Sequence, residues 1–309
     1  MSSFPSEGTS ALLALSNDLA ATVEQVGQCV VAVKARSRIC SSGVHWREGV
    51  VVTADETIKR SEDIIVTLSD GRTVPATLAG RDPSTDIAVL KLLDVELPIP
   101  QIEEATSLKV GHLVLAVGRD ESGLTASLGA VSALGSSWHS SYGGLIDQFV
   151  RLDLSLYPSI EGGPLVDAMG RVVGIAVSGP RRTVLAIPTA TVNRVVAQLL
   201  EKGRIARGYL GLSMQPVRLP EHLKQTLNLP SLGGVIVVNV EPDGPAEQAG
   251  AMIGDVIVAL NGTSISDPGK VPAMLGPDRV GQTISARMIR GGTSLELAIT
   301  VGERPRPEE

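Results

Sequence analysis

Few side chains in this 309-residue sequence carry a proton near neutral pH without a perturbing environment: it holds two cysteines and four histidines. Cys29 and Cys40 bracket one short segment and have no metal-ligand spacing. They could face each other across a hairpin, but two reduced thiols are the expected state. One stretch stands out. At 157–167 the chain reads YPSIEGGPLVD, so that a carboxylate, Glu161, directly precedes two glycines. Clustered with other acids, a carboxylate can share a proton or hold a cation; alone, it is a solvated charge. The elements that hold it decide which.

Those elements read as mainly β. The length suits two domains rather than one or three. Aromatics make up only 2% of the residues, so Val, Leu, Ile and Ala must fill the cores. After a first helical stretch, short bursts of β-branched residues recur between turn signals: CVVAVKA, GVVVTA, DIIVTL, DIAVLKL, HLVLAVG, QFVRLDL, RVVGIAVSG and TVLAIP. Period-two alternation of this kind over so many short strands predicts a barrel or sandwich. PTATVNRVVAQLLEKG then switches to helical spacing, with Val192, Val195, Val196, Leu199 and Leu200 on one face and Gly203 as the stop. A second unit runs from Arg204 to about Glu303, and the closing RPRPEE reads as a frayed tail.

The formal net charge of −6 argues against nucleic-acid binding, which needs clustered Lys and Arg. No apolar run is long enough to span a bilayer. The N-terminal stretch lacks a basic n-region and an unbroken apolar core, so it does not read as a secretory signal. If Met1 is the natural start, a cytoplasmic location is expected.

In order, SSGVHWREGVVVTADETI, GRDPSTDIAVLKL, KVGHLVLAVG, VRLDLSLYPSIEGGPLVDAMGRVVGIAVSG and LAIPTATVNRVVAQLLEKGRIARGYLG resemble segments of the HtrA family, a trypsin-like double β-barrel followed by a PDZ domain. The resemblance runs from about Leu19 to Glu303. It implies a tail at 1–18, a double barrel at 19–203, a PDZ domain at 204–303 and a tail at 304–309. Carried across residue by residue, the family's catalytic aspartate falls on Asp86. Its histidine falls on Glu56 and its serine on Glu161, while Ser159 and Ile160 stand where the family's oxyanion loop has Gly and Asn. An unactivated serine is a poor nucleophile, and the acid only orients the imidazole that activates it. An ionised Glu161 about 4 Å from a developing oxyanion would repel it by roughly 4 kcal/mol at an effective dielectric near 20. The expectation is therefore a pseudoprotease, not an enzyme, that binds peptides or proteins as a scaffold or regulator, in one version by pairing with an active HtrA relative. One alternative is a working serine endopeptidase. Another is a structural protein whose Glu56, Asp86 and Glu161 hold a divalent cation, against which stands the simpler reading of two solvated glutamates and a hydrogen-bonded Asp86. A two-carboxylate glycosidase lacks the aromatic residues its cleft would need.

In the PDZ domain the resemblance makes GYLGL the carboxylate-binding loop, with amides from Tyr209, Leu210 and Gly211 and the peptide-pairing strand starting at Leu212. The opposite wall falls on SDPGKVPAMLGPDRVG. Pro272 and Gly276 limit it to about one helical turn, so Val271, Met274 and Leu275 are expected to give only a shallow apolar pocket. No cofactor is implied. Phe4 is the aromatic available near the start to hold a trimer of the family's kind, which leaves monomer and trimer both open. The family setting makes the cell envelope the alternative to the cytoplasm.

Overall fold

A computed structural model of the chain describes residues 10–36, 39–140, 142–229 and 233–304. Phe4 and the end of the C-terminal tail lie outside them. The chain divides into two compact units, Met1–Trp138 with Leu145–Arg204, and His139–Gly144 with Ile205–Glu309.

The first unit contains two closed six-stranded barrels, the choice of barrel over sandwich that the resemblance implies. Around the first, the strands run in the order Val30–Lys34, Ser41–Arg47, Val50–Thr53, Ile87–Lys91, Thr73–Asp82 and Ile64–Thr67. Around the second they run Phe149–Asp153, Val184–Pro188, Val172–Ser178, Pro164–Asp167, Leu113–Asp120 and Gly123–Gly135. Each barrel is filled by aliphatic side chains. Val31, Val51, Ile64, Val66 and Leu90 fill the first, and Val114, Val131, Val150, Leu165 and Val173 the second. Closing each sheet on itself removes its exposed edges.

Some strands are buried on both faces, which explains why Val50–Thr53 and Val184–Pro188 are continuous apolar runs rather than alternating ones. Two helices flank the barrels: α1 (Ala11–Gly27), buried only at its C-terminal end, and α2 (Thr189–Lys202), which packs along one face. Helix α2 lies against strands of both barrels. It buries Val192, Val195, Val196 and Leu199 completely, and Asn193 accepts a 2.8 Å hydrogen bond from the Trp46 indole. It ends at Gly203 in a left-handed conformation (φ 69°), whose amide returns to the Leu199 carbonyl at 2.8 Å.

Register settles the cysteines. His45 donates to the Cys29 carbonyl, whereas Ser41, beside Cys40, opposes Val33. The two residues are therefore about five positions apart along the pairing, or ~17 Å at the rise of a strand. Both are free thiols, with Cys29 buried.

The second unit is a small twisted sheet in the order Leu212–Arg218, Gly233–Val240, Val256–Leu260, Thr283–Arg290 and Thr293–Thr300. Val235, Val237, Ile257, Ala286, Met288 and Ile299 form its core. Asp255, 1% exposed, is clamped by both arms of Arg290 at 2.7 and 2.8 Å.

The anchoring of α2 is testable. Leu199→Ala should lower stability by about 2–5 kcal/mol, the usual cost of emptying a fully packed leucine site, as read from denaturant melts.

Candidate functional site

Asp55–Thr57 forms a 3₁₀ turn directly after the strand Val50–Thr53. The turn fixes two acids differently. Asp55 is 5% exposed and receives both arms of Arg81, at 2.5 and 3.1 Å. Burial pushes its carboxyl above the ordinary value, and the Arg81 hydrogen bond and charge offset only part of that. Glu56 is exposed, and its backbone amide donates to Asp86 Oδ1 at 2.8 Å.

Asp86 is presented by the DPSTD turn. The Asp82 carboxylate accepts from the Ser84 amide (3.2 Å), the Ser84 hydroxyl (2.5 Å) and the Thr85 hydroxyl (2.8 Å), which ties the turn down. Asp86 itself has φ 56°, an unusual conformation for a residue with a side chain, and its carbonyl accepts from the Asp55 amide at 3.2 Å. Its carboxyl is pushed up to about 7. Burial is the largest cause. The Glu56 amide opposes it, and the charges of Asp55, Glu56 and Glu161 add to it. Asp86 thus feels both of the other acids that the sequence places here.

Glu161 sits in the turn after Tyr157, 13% exposed. Its carbonyl accepts from the Ser42 amide at 2.9 Å, which joins the turn to the first barrel. Its Oε2 lies 3.8 Å from Arg36 Nη2, too far for a hydrogen bond, and its Oε1 is buried with no hydrogen-bond partner among the described residues. The amides of Ile160 and Glu161 both point to the Tyr157 carbonyl, at 2.8 and 3.2 Å. In this arrangement the Glu161 amide faces its own turn and is not presented to a ligand. Ile160 is fully buried in the second barrel, and the Ser159 carbonyl accepts from the Ser42 hydroxyl at 2.6 Å.

Neither barrel histidine reaches these acids. His45 is buried, with Nδ1 3.0 Å from the Pro98 carbonyl and Nε2 accepting from the Gly49 amide at 3.2 Å. His112 accepts from the Lys109 amide. His139 and His222 belong to the other unit. Among the described residues no group of three or more His, Cys, Asp or Glu side chains is arranged to hold a metal ion. Sequence reasoning missed Arg36, Asp55 and Arg81. Asp55 had a local signal, as the neighbour of Glu56, but nothing local marks Arg36.

In the second unit, Gly208–Tyr209 pairs with Gly302–Glu303, and Leu212–Arg218 is the edge strand of the sheet. Gly211 has φ 76°, and its carbonyl and that of Leu210 are taken by the amides of Glu241 and Ala246. The amides of Leu210 and Gly211 have no backbone acceptor among the described residues. Tyr209 donates its hydroxyl to Glu241. The helical wall is a single turn, Val271–Met274, as the prolines predict. Val271 and Leu275 are 2% and 5% exposed and belong to the core with Leu210, so they do not line an open groove. Leu212 and Met274 are only partly buried against that core and remain as candidate lining.

Comparison with known proteins supports both units. A trypsin-like peptidase domain matches residues 41–175 and a PDZ domain matches residues 208–301. The solved serine endoprotease from Yersinia pestis is 30% identical, with a TM-score of 0.73 over 98% of this chain and 100% of its own. The HtrA-type protease AlgWS227A, solved with a tripeptide, is 31% identical, with a TM-score of 0.74 over 93% of this chain and 98% of its own. The chain belongs to the HtrA family. The HtrA-type protease AlgW, solved with a decapeptide, is 28% identical, with a TM-score of 0.73 over 93% of this chain and 99% of its own. A "Probable periplasmic serine endoprotease DegP-like" of Marinomonas sp. (strain MWYL1) is 34% identical over 87% of this chain and 58% of its own length. That of Chlamydia pneumoniae is 33% identical over 84% and 54%. This HtrA chain therefore spans little more than half the length of the curated relatives it matches.

These relatives overturn the expectation of a protein that is not an enzyme. They are named serine endoproteases, the solved neighbours are HtrA-type proteases, and nothing found here positively marks the chain as inactive. Any attacking hydroxyl must then come from a residue other than position 161, because Glu161 has none.

The acid cluster has a pH signature. Because the Asp86 carboxyl is raised in the folded state, its contribution to stability is present at low pH and is lost as pH rises from about 4 to about 7. Asp86→Asn should therefore raise the melting temperature relative to the parent at pH 8, with the difference vanishing near pH 4. Glu161→Gln, which removes one repelling charge, should move the midpoint of that difference to lower pH.

Proposed function

We propose that the chain acts on polypeptides in the manner of its HtrA relatives: the PDZ unit holds a C-terminal tail, and the double barrel receives the chain as a serine endopeptidase domain does. The observation that carries this reading is the match to solved HtrA-type proteases over nearly the whole chain, including one solved with a decapeptide. The relatives named as periplasmic favour the cell envelope over the cytoplasm. No helix among the described residues is long and apolar enough to cross a membrane.

Tail capture has direct physical support in this chain. Gly211 takes a positive φ in the GYLGL loop, and the amides of Leu210 and Gly211 lack a backbone acceptor among the described residues and so are available to a carboxylate. Next to them is a sheet edge on which an extended peptide can add a strand. Hydrogen bonds to a charged carboxylate contribute about 1.5–3 kcal/mol. Amidating the C-terminus of an apolar-ended peptide should therefore weaken its binding by about tenfold or more, as read by fluorescence anisotropy. Equal binding of the free and amidated peptides would refute tail capture.

Endoproteolysis rests on the relatives and places a demand on the barrel. Ser42 and Ser159 are the serines beside Glu161, and the Ser42 hydroxyl is engaged, donating to the Ser159 carbonyl (2.6 Å) and accepting from the Arg119 amide (2.7 Å). A serine nucleophile would have to be released from such bonds and given a base. The reading expects cleavage of an unfolded protein such as casein, abolished by a serine-directed phosphonate. Neither cleavage nor adduct would remove the endopeptidase half and leave tail capture standing.

A further inference from the structure

The edge strand that a captured tail would join contains a proline, and the sheet register shows which way that proline faces. Val237 donates to the Asp255 carbonyl at 2.8 Å and accepts from the Gly254 amide at 2.9 Å, so its peptide groups point toward Val256–Leu260. Main-chain direction alternates along a strand, so Val235 points the same way and Ile236 points toward Leu212–Arg218. Met214 opposes Val237, and Pro216 opposes Val235. The main-chain groups of Met214 and Pro216 must therefore point to the free edge. This is the placement a strand tolerates for proline, since no ladder bond within the sheet is lost.

At the free edge the same proline has a different effect. A peptide residue opposite Met214 can exchange two hydrogen bonds with it. The residue opposite Pro216 can give its N–H to the Pro216 carbonyl, but its own carbonyl meets a ring carbon and no donor. The other wall is equally short. Val271–Met274 is one turn, and Val271 and Leu275 are committed to the core. Beyond Leu212–Gln215, neither wall offers a matched set of partners.

We propose that Pro216 terminates strand addition on this edge, so that the PDZ unit reads only about the last four residues of a polypeptide tail and is indifferent to those before them. The proposal rests on the tail-capture reading above. A net hydrogen bond is worth roughly a factor of two to ten in affinity, so one restored donor is measurable. The test uses the full chain and two free-carboxylate peptides, of about four and about ten residues, that share their C-terminal four, so that only the longer one reaches Pro216. In the parent protein the two should bind within about twofold of each other. Pro216→Thr, which restores an N–H with a residue that strands favour, should bind the longer peptide about two- to tenfold tighter and leave the shorter one unchanged. The proposal is overturned if the parent binds the longer peptide more than about tenfold tighter. It is overturned equally if a folded Pro216→Thr protein shows no gain with length. Free and amidated peptides that bind alike, or no binding of either length, would overturn tail capture and this proposal with it.

Discussion

The first unit depends on how closely two backbones approach where the barrels meet. Gly162, in the left-handed region at φ 81°, leaves so little space that a Cβ would lie 2.5 Å from the Thr53 hydroxyl and 2.6 Å from the Ser42 carbonyl. Gly118 leaves room for the Ser159 carbonyl in the same way, with a Cβ placed 2.3 Å from it. Only glycine allows these contacts. Gly162 seats the turn carrying Glu161 against the first barrel and Gly118 seats it within the second, and the bond from Ser42 to the Glu161 carbonyl follows from that seating.

This seating gives the site its electrostatics. Glu161 comes from the second barrel, and Asp55, Glu56 and Asp86 come from the first. Partial burial makes their mutual repulsion matter, because charges removed from water interact more strongly and are solvated less. Arg81 matches the two oxygens of Asp55 and offsets part of the cost of burying it. Among the described residues Asp86 receives a backbone amide from Glu56 and no cation, and burial with the neighbouring charges raises its carboxyl. Arg36 approaches Glu161 without closing a hydrogen bond, unlike the well-matched Arg81–Asp55 and Arg290–Asp255 pairs.

The second unit shows proline acting in two places for two reasons. Pro272 can open a helical turn but not sit within a longer helix, and Pro216 can occupy a sheet edge but not an interior strand. Pro216 lies in the edge strand Leu212–Arg218 and Pro272 in the single turn Val271–Met274, the elements on which the proposed tail capture rests.

The sequence by itself determined a mainly β first unit, the α2 face with its Gly203 stop and the single turn at Val271–Met274, because strand alternation, helical spacing and glycine or proline punctuation are local signals; the double barrel and the family came from the resemblance of motifs in order. It also located Glu56, Asp86 and Glu161 through motif order. It did not determine that Val271 and Leu275 turn into the core, that the Glu161 amide folds back on Tyr157, or that Arg36, Arg81 and Asp55 share the neighbourhood. Comparison with relatives, not the residues alone, corrected the view that the chain is no enzyme. The tertiary structure decided the remainder, because burial, register and the pairing of charges depend on which distant segments meet, and no local pattern encodes that.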